Sequence, residues 1–253
     1  MFRMRQSVHT LPASNIKQAT EKMWNNPKPF SLFLIVSFLI ASMCSCNADD
    51  TGGKHVTQPD TANVVSTAKT VLIYMAAQNS LGARRNQQAD SLEIMQAYKD
   101  IPGDSRILLF IDDKYAPRIY RIDKTTPRPV MVKRWQNDED SASPAFFGEL
   151  LSFIKRFYPS DEYGMVLWSH ATGWVPPSLA LTRNAKQRHA KPLSFGIDDG
   201  EDFGSDNGSE MEIRDMAGVM KKADFHARYI FFDACLMQNI EVVYELRHAA
   251  DYI

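Results

Sequence analysis

Apolar residues in this chain gather in short runs separated by polar or helix-patterned stretches. Val71–Ala76 (VLIYMA), Ile107–Ile111 (ILLFI), Met165–Trp168 (MVLW) and Tyr229–Phe232 (YIFF) are continuous rather than alternating. Such runs predict strands buried on both faces of a helix-covered sheet. Between them, Ala83–Lys99 carries apolar or small residues at Ala89, Leu92, Ile94, Met95 and Tyr98 and stops at Pro102-Gly103, the pattern of a helix. Phe146–Phe157 is apolar at 146, 147, 150, 151, 154 and 157, which predicts an amphipathic crossover helix. Ile213–Lys222 predicts a short helix, and Asn239–His248, apolar at Ile240, Val243, Tyr244 and Leu246, another. Arg118–Ile122 and Val130–Trp135, joined by KTTPRP, read as a hairpin at a sheet edge, where turn prolines are tolerated. Strands alternating with helices predict an α/β domain with a mostly parallel sheet flanked by helices.

Ahead of this domain, Phe30–Met43 is uncharged and apolar, the length of a signal-peptide core and too short for a comfortable bilayer span. A start at Met23 would give a conventional leader. The word SMCSCNADD follows, with a cysteine directly behind the apolar core as bacterial lipoprotein signals require, and Asp49 and Asp50 close after it. Cys46 is the chosen lipid-bearing residue and Cys44 the alternative. The chain therefore divides into a signal peptide (1–45), a polar tether (46–69) and a globular domain (70–253). The expectation is an exported lipoprotein at the outer membrane or cell surface, attached by lipid alone.

The 29 Lys and Arg balance 30 Asp and Glu, so there is no basic surplus of the kind that nucleic-acid binding needs. A hydrophobic share of 44%, with 14 Phe and 4 Trp, suits one enzyme-sized domain, and no internal repeat is visible. After His170 the regular pattern dissolves. Val175–Lys191 contains Pro176-Pro177 and a basic polar run, whereas Asp198–Glu210 is acidic and glycine-rich; both are expected to be exposed loops. The acidic stretch fails the EF-hand spacing because Gly204 stands where a ligand is needed. A solvated loop is the preferred reading and a calcium site the weaker one. No zinc-ligand spacing exists, and no other cofactor is expected.

Reactive chemistry sits at the ends of two apolar runs. Met165–Trp168 leads to His170, and Tyr229–Phe232 leads to Asp233 and Cys235. The carboxyl edge of such a sheet is where ligands and reactive groups collect. Of the three cysteines, a lipid on Cys46 and loss of Cys44 with the signal would leave Cys235 without a disulfide partner. A thiol is a strong nucleophile only as thiolate, so a histidine delivered to the same edge is what nucleophilic catalysis requires.

FDACLM and LWSH-x-TGW resemble the motifs of the clostripain-like cysteine peptidases, relatives of caspases, gingipains and legumains, and the resemblance runs from about Lys69 to the last residue. It implies a caspase-like three-layer sandwich and an endopeptidase with Cys235 as nucleophile and His170 as its partner. The oxyanion hole would be formed by the backbone amides of Ala171 and Cys235. The family's usual His-Gly is His170-Ala171 here, which leaves the amide usable only where φ is negative. Asp233, two residues before the nucleophile, would line a pocket for Arg or Lys, and the expected partners are peptides with a basic P1 side chain. Relatives mature by cutting a loop after the histidine, which makes Arg183, Lys186, Arg188 and Lys191 candidate processing sites. Trp168 and Trp174 flank the histidine and either wall the groove or pack in the core. In relatives more of the domain follows the final Asp251-Tyr252-Ile253, so this chain reads as C-terminally truncated. The rival reading is a peptidase-like surface lipoprotein without activity that serves as a binding module.

Overall fold

The computed structural model describes residues 65–173 and 194–253. The signal segment, Cys44, Cys46 and nearly all of the tether lie outside these residues, as do Trp174 and the loop bearing Arg183, Lys186, Arg188 and Lys191. Seven strands form one sheet in the order β4-β3-β2-β1-β5-β8-β9. The parallel members are β1 (Thr67–Ala76), β2 (Ser105–Asp112), β5 (Ser160–Trp168), β8 (Ala227–Asp233) and β9 (Ala250–Tyr252). The hairpin β3 (Arg118–Ile122) and β4 (Val130–Arg134) lies antiparallel at one edge, as its sequence predicted. From β1 the chain builds outward to β4, then returns to the other side of β1 with β5. The order therefore reverses between β1 and β5, which in an open α/β sheet opens a crevice beyond the strands' carboxyl ends.

Alternation within the strands feeds two separate cores. Leu72, Tyr74 and Ala76 of β1, Leu108 and Phe110 of β2, and Met165 and Leu167 of β5 face one side. There they meet helix α3 (Pro144–Phe157), whose Phe146, Phe147, Leu150, Leu151 and Ile154 are all buried. Ser143 starts α3 by accepting from the Phe146 N–H at 3.1 Å, and Pro144 stands at the first helical position, where its missing donor costs nothing. Helix α4 (Ile213–Lys222) adds Ile213, Met216 and Met220 to the same side. Tyr74 stacks on Phe110 with centroids 4.6 Å apart and meets the edge of Phe147. The opposite side collects Ile73, Met75, Leu109, Ile111 and Trp168 under Ile94, Met95 and Tyr98.

Three expectations need correction. The predicted helix 83–99 is broken: α1 (Ser80–Ala83) and α2 (Asn86–Gln96) are separated by Arg85 in a left-handed conformation, and residues 97–99 tighten into a 3-10 turn. Ala89 and Leu92 face solvent while Gln87 and Ser91 are buried, because the break turns a different stripe toward the sheet. Strand β8 is not buried on both faces. Ile230 enters the first core, but Phe231 is 58% exposed; among the described residues the second core stops at β5. On α5 (Ile240–Leu246), likewise, Val242 and Leu246 are buried whereas Ile240 and Tyr244 are exposed.

The third correction concerns the acidic stretch after residue 198, which is a loop with Glu201, Asp202 and Asn207 exposed but is anchored on buried carboxylates rather than held by solvent alone. Strands β6 (Ser194–Asp198) and β7 (Ser209–Glu212) form a small antiparallel pair around it. Asp198 and Asp199 are buried at its base. The Asp199 carboxylate accepts from the N–H groups of Gly204, Asp206, Asn207 and Gly208 at 2.9–3.0 Å. A carboxylate that saturates so many orphan donors organises a loop from within, a local device that composition alone does not reveal.

Candidate active site

His170 and Cys235 each stand two residues beyond the paired positions Trp168 and Asp233 of adjacent parallel strands. Both therefore lie at the carboxyl edge of the sheet, His170 beyond β5, the neighbour of β1, and Cys235 beyond β8 on the far side of β5. The strand ends are tied there by polar side chains that sequence reasoning missed. Asn79 is fully buried. Its Nδ2 donates to the Ala76 and Ile197 carbonyls, each at 2.9 Å, and approaches Ser169 Oγ at 3.3 Å. Ser169 Oγ donates to the Ala76 carbonyl at 2.6 Å. The residue before His170 is thus locked to the end of β1 and to β6. The available signal was that polar residues follow VLIYMAA and MVLW directly, where buried strands reach a sheet edge.

Past His170 the backbone continues as a strip along β6. Gly196 N–H donates to the His170 carbonyl at 2.9 Å and Thr172 N–H to Ser194 at 3.1 Å, with Ala171 opposite Phe195 in an isolated antiparallel bridge. In such a non-hydrogen-bonded pair the central N–H points away from the partner strand, so the ladder does not consume the Ala171 amide. Among the described residues, positive φ at non-glycine positions occurs at Arg85, Asp206, Asp224 and Leu236. Ala171 is not one of them, and the Gly-to-Ala departure carries no backbone strain.

The turn bearing Cys235 is held from the other side. Leu236 is left-handed at φ 63°. Asn239 caps α5 by accepting from the Val242 N–H at 3.0 Å, while its Nδ2 donates to the Leu236 carbonyl at 2.7 Å. Cys235 itself is an exposed free thiol.

His170 Nε2 lies 3.0 Å from Ser80 Oγ and 3.5 Å from Asp206 Oδ1. Asp233 is exposed, and its carboxylate makes no ion pair or hydrogen bond among the described residues. Its pKa is raised by partial burial and then by the negative charge of Asp90, which Trp168 holds through an Nε1–H bond of 2.9 Å. Trp168 is 6% exposed and belongs to the second core, so packing accounts for it. Among the described residues no cluster of three or more His, Cys, Asp or Glu side chains could hold a metal ion.

A parallel sheet that presents a histidine and a cysteine from adjacent strand ends defines a caspase-like α/β sandwich. The chain belongs to the clostripain family: the Peptidase_C11 family model matches residues 73–253. No curated protein sequence matches it. Among solved structures it is similar to a secreted C11 cysteine protease from Bacteroides thetaiotaomicron in complex with an irreversible peptide inhibitor. That match has 27% identity and a TM-score of 0.59 over 74% of this chain and 48% of the other. It is also similar to an inactive zymogen C11 protease from Parabacteroides distasonis, at 28% identity and a TM-score of 0.55, covering 75% of this chain and 48% of that one. The chain thus spans about half the length of these solved relatives.

Proposed function

We propose that this protein is a cysteine endopeptidase that cleaves after Arg or Lys. The observation that carries the reading is the placement of His170 and Cys235 at matching positions beyond one register pair. The Cys235 thiolate attacks the scissile carbonyl carbon and forms a C–S bond, and the His170 imidazolium gives its proton to the departing amine as the C–N bond breaks. Water then attacks the thioester, His170 takes a proton from it, and the carboxylic acid leaves with Cys235 restored. The amides of Ala171 and Cys235 are suited to stabilise the oxyanion. Among the described residues the Asp233 carboxylate makes no ion pair, and it sits in the field of Asp90, an arrangement that favours a guanidinium or ammonium at P1.

The same reading includes maturation by a cut after Arg183, Lys186, Arg188 or Lys191, and export with lipid on Cys46. The test is labelling of the purified full chain by peptidyl acyloxymethyl ketones that end in Lys, Arg or a neutral residue. Labelling of Cys235 by the basic reagents in preference to the neutral one is expected. Failure of all three to label Cys235 overturns the enzyme reading in favour of a silent binding module.

A further inference from the structure

The acidic loop between β6 and β7 reaches the one histidine that the proposed chemistry needs. Asp206 Oδ1 stands 3.5 Å from His170 Nε2 and accepts from the backbone N–H of Ser80 at 2.8 Å. Ser80 Oγ is itself 3.0 Å from the same ring nitrogen. Three segments far apart in sequence, the starts of α1 and of the strip after β5 and the β6–β7 loop, converge on Nε2.

We propose that Asp206, with Ser80, is the positioning pair for the His170 imidazole, and that the acidic loop exists to deliver this carboxylate. The inference rests on the reading of His170 as the proton-transfer partner of Cys235. A base used in nucleophilic catalysis is commonly oriented by a third group, and a carboxylate beside one ring nitrogen fixes the tautomer and supports the protonated ring.

The loop is built to hold Asp206 still. Its backbone at φ 56° is a left-handed conformation that Asp and Asn tolerate best among residues with a side chain. Asp199 anchors the segment through four backbone N–H groups, that of Asp206 included. Gly208 closes the loop so tightly that a Cβ there would stand 1.6 Å from the Asp198 carbonyl oxygen. The side chains of His170 and Asp206 are 27% and 19% exposed, so solvent screens their attraction only in part.

Asp206→Asn tests the proposal, since Asn keeps the left-handed backbone and loses the charge. NMR titration of His170 in the full chain, in a Cys235→Ala background, reads the ring without the thiol and without any need for catalysis. Loss of the adjacent anion should lower the His170 midpoint by about one pH unit, and in catalytically intact protein the alkaline limb of kcat/KM should move down with it. A His170 midpoint unchanged by Asp206→Asn overturns the inference. If that variant does not fold, the neutral ring of the unsubstituted chain decides: nitrogen shifts should show the proton on Nε2, and a predominant Nδ1–H tautomer overturns the proposal. Absent peptide hydrolysis with a shifted midpoint would sink the enzyme reading alone.

Discussion

Gly173 and Leu236 meet backbone to backbone. A Cβ on residue 173 would stand 1.8 Å from the Leu236 carbonyl oxygen and 3.1 Å from Asn239 Nδ2. Both residues are left-handed, at φ 51° and 63°, and through them the strip that carries His170 rests on the turn that carries Cys235. Gly173→Ala should force the two apart. Since misplacement by about 1 Å can cost about 10²-fold in rate, labelling of Cys235 by a basic acyloxymethyl ketone should slow by about that factor. Circular dichroism should show the sheet retained, and labelling at the unsubstituted rate would refute the contact's importance.

Asp233 should set both the side-chain preference and its pH dependence. Asp233→Asn removes the carboxylate and should raise KM for Arg or Lys substrates about tenfold to a hundredfold, the range of a charged hydrogen bond, with little effect on a neutral substrate. Burial and Asp90 raise the Asp233 pKa. Recognition of basic substrates should therefore fail as pH falls through a midpoint above the ordinary carboxylate range. Paired pH profiles of kcat/KM check this: an acid limb shared by basic and neutral substrates would assign it to another group.

Asp112 should make the fold less stable as pH rises. It is fully buried at the end of β2 beside Asp198 and Ser141, and no donor reaches either carboxylate oxygen in good geometry. Ser141 serves Asp198 instead, through its N–H at 2.6 Å and its Oγ at 3.1 Å. Burial, followed by the charge of Asp198, pushes the Asp112 pKa well up. The folded state thus holds a proton that the unfolded chain releases near the ordinary carboxylate pKa, and stability declines from there as pH climbs through the raised value. Asp112→Asn cannot ionise and its amide can donate to Asp198. It should flatten this dependence and stabilise the fold by about 1–3 kcal/mol at pH 8, read as a rise in Tm.

Cys235→Ala should abolish hydrolysis of basic peptides and leave stability within about 0.5 kcal/mol, because the thiol is exposed and surface changes cost little. Mass spectrometry after incubation separates self-cutting from foreign proteolysis. Fragments ending at Arg183, Lys186, Arg188 or Lys191 should come from the unsubstituted chain alone. The same ends from Cys235→Ala would point to another protease.

The central strands were legible in sequence because a run such as ILLFI, buried by helices on both sides, has no polar position to hide. The hairpin and the helix α4 (Ile213–Lys222) were legible for a similar reason: periodicity and turn residues are local. His170 and Cys235 could be placed at one edge because each ends an apolar run, and strand direction in a parallel sheet does the rest. Tertiary structure decided what local pattern does not encode. YIFF is as apolar as the other runs, yet only its partners determine that Phe231 is exposed while Ile230 is buried. An acidic, glycine-rich stretch reads as solvated until Asp199 is seen to gather four N–H groups from its own loop. Asn79, Ser80 and Asp206 come together around Ser169 and His170 only after strands distant in sequence have paired. Their hydrogen bonds depend on distances across the fold, whereas sequence periodicity reports only which face of its own element a residue occupies.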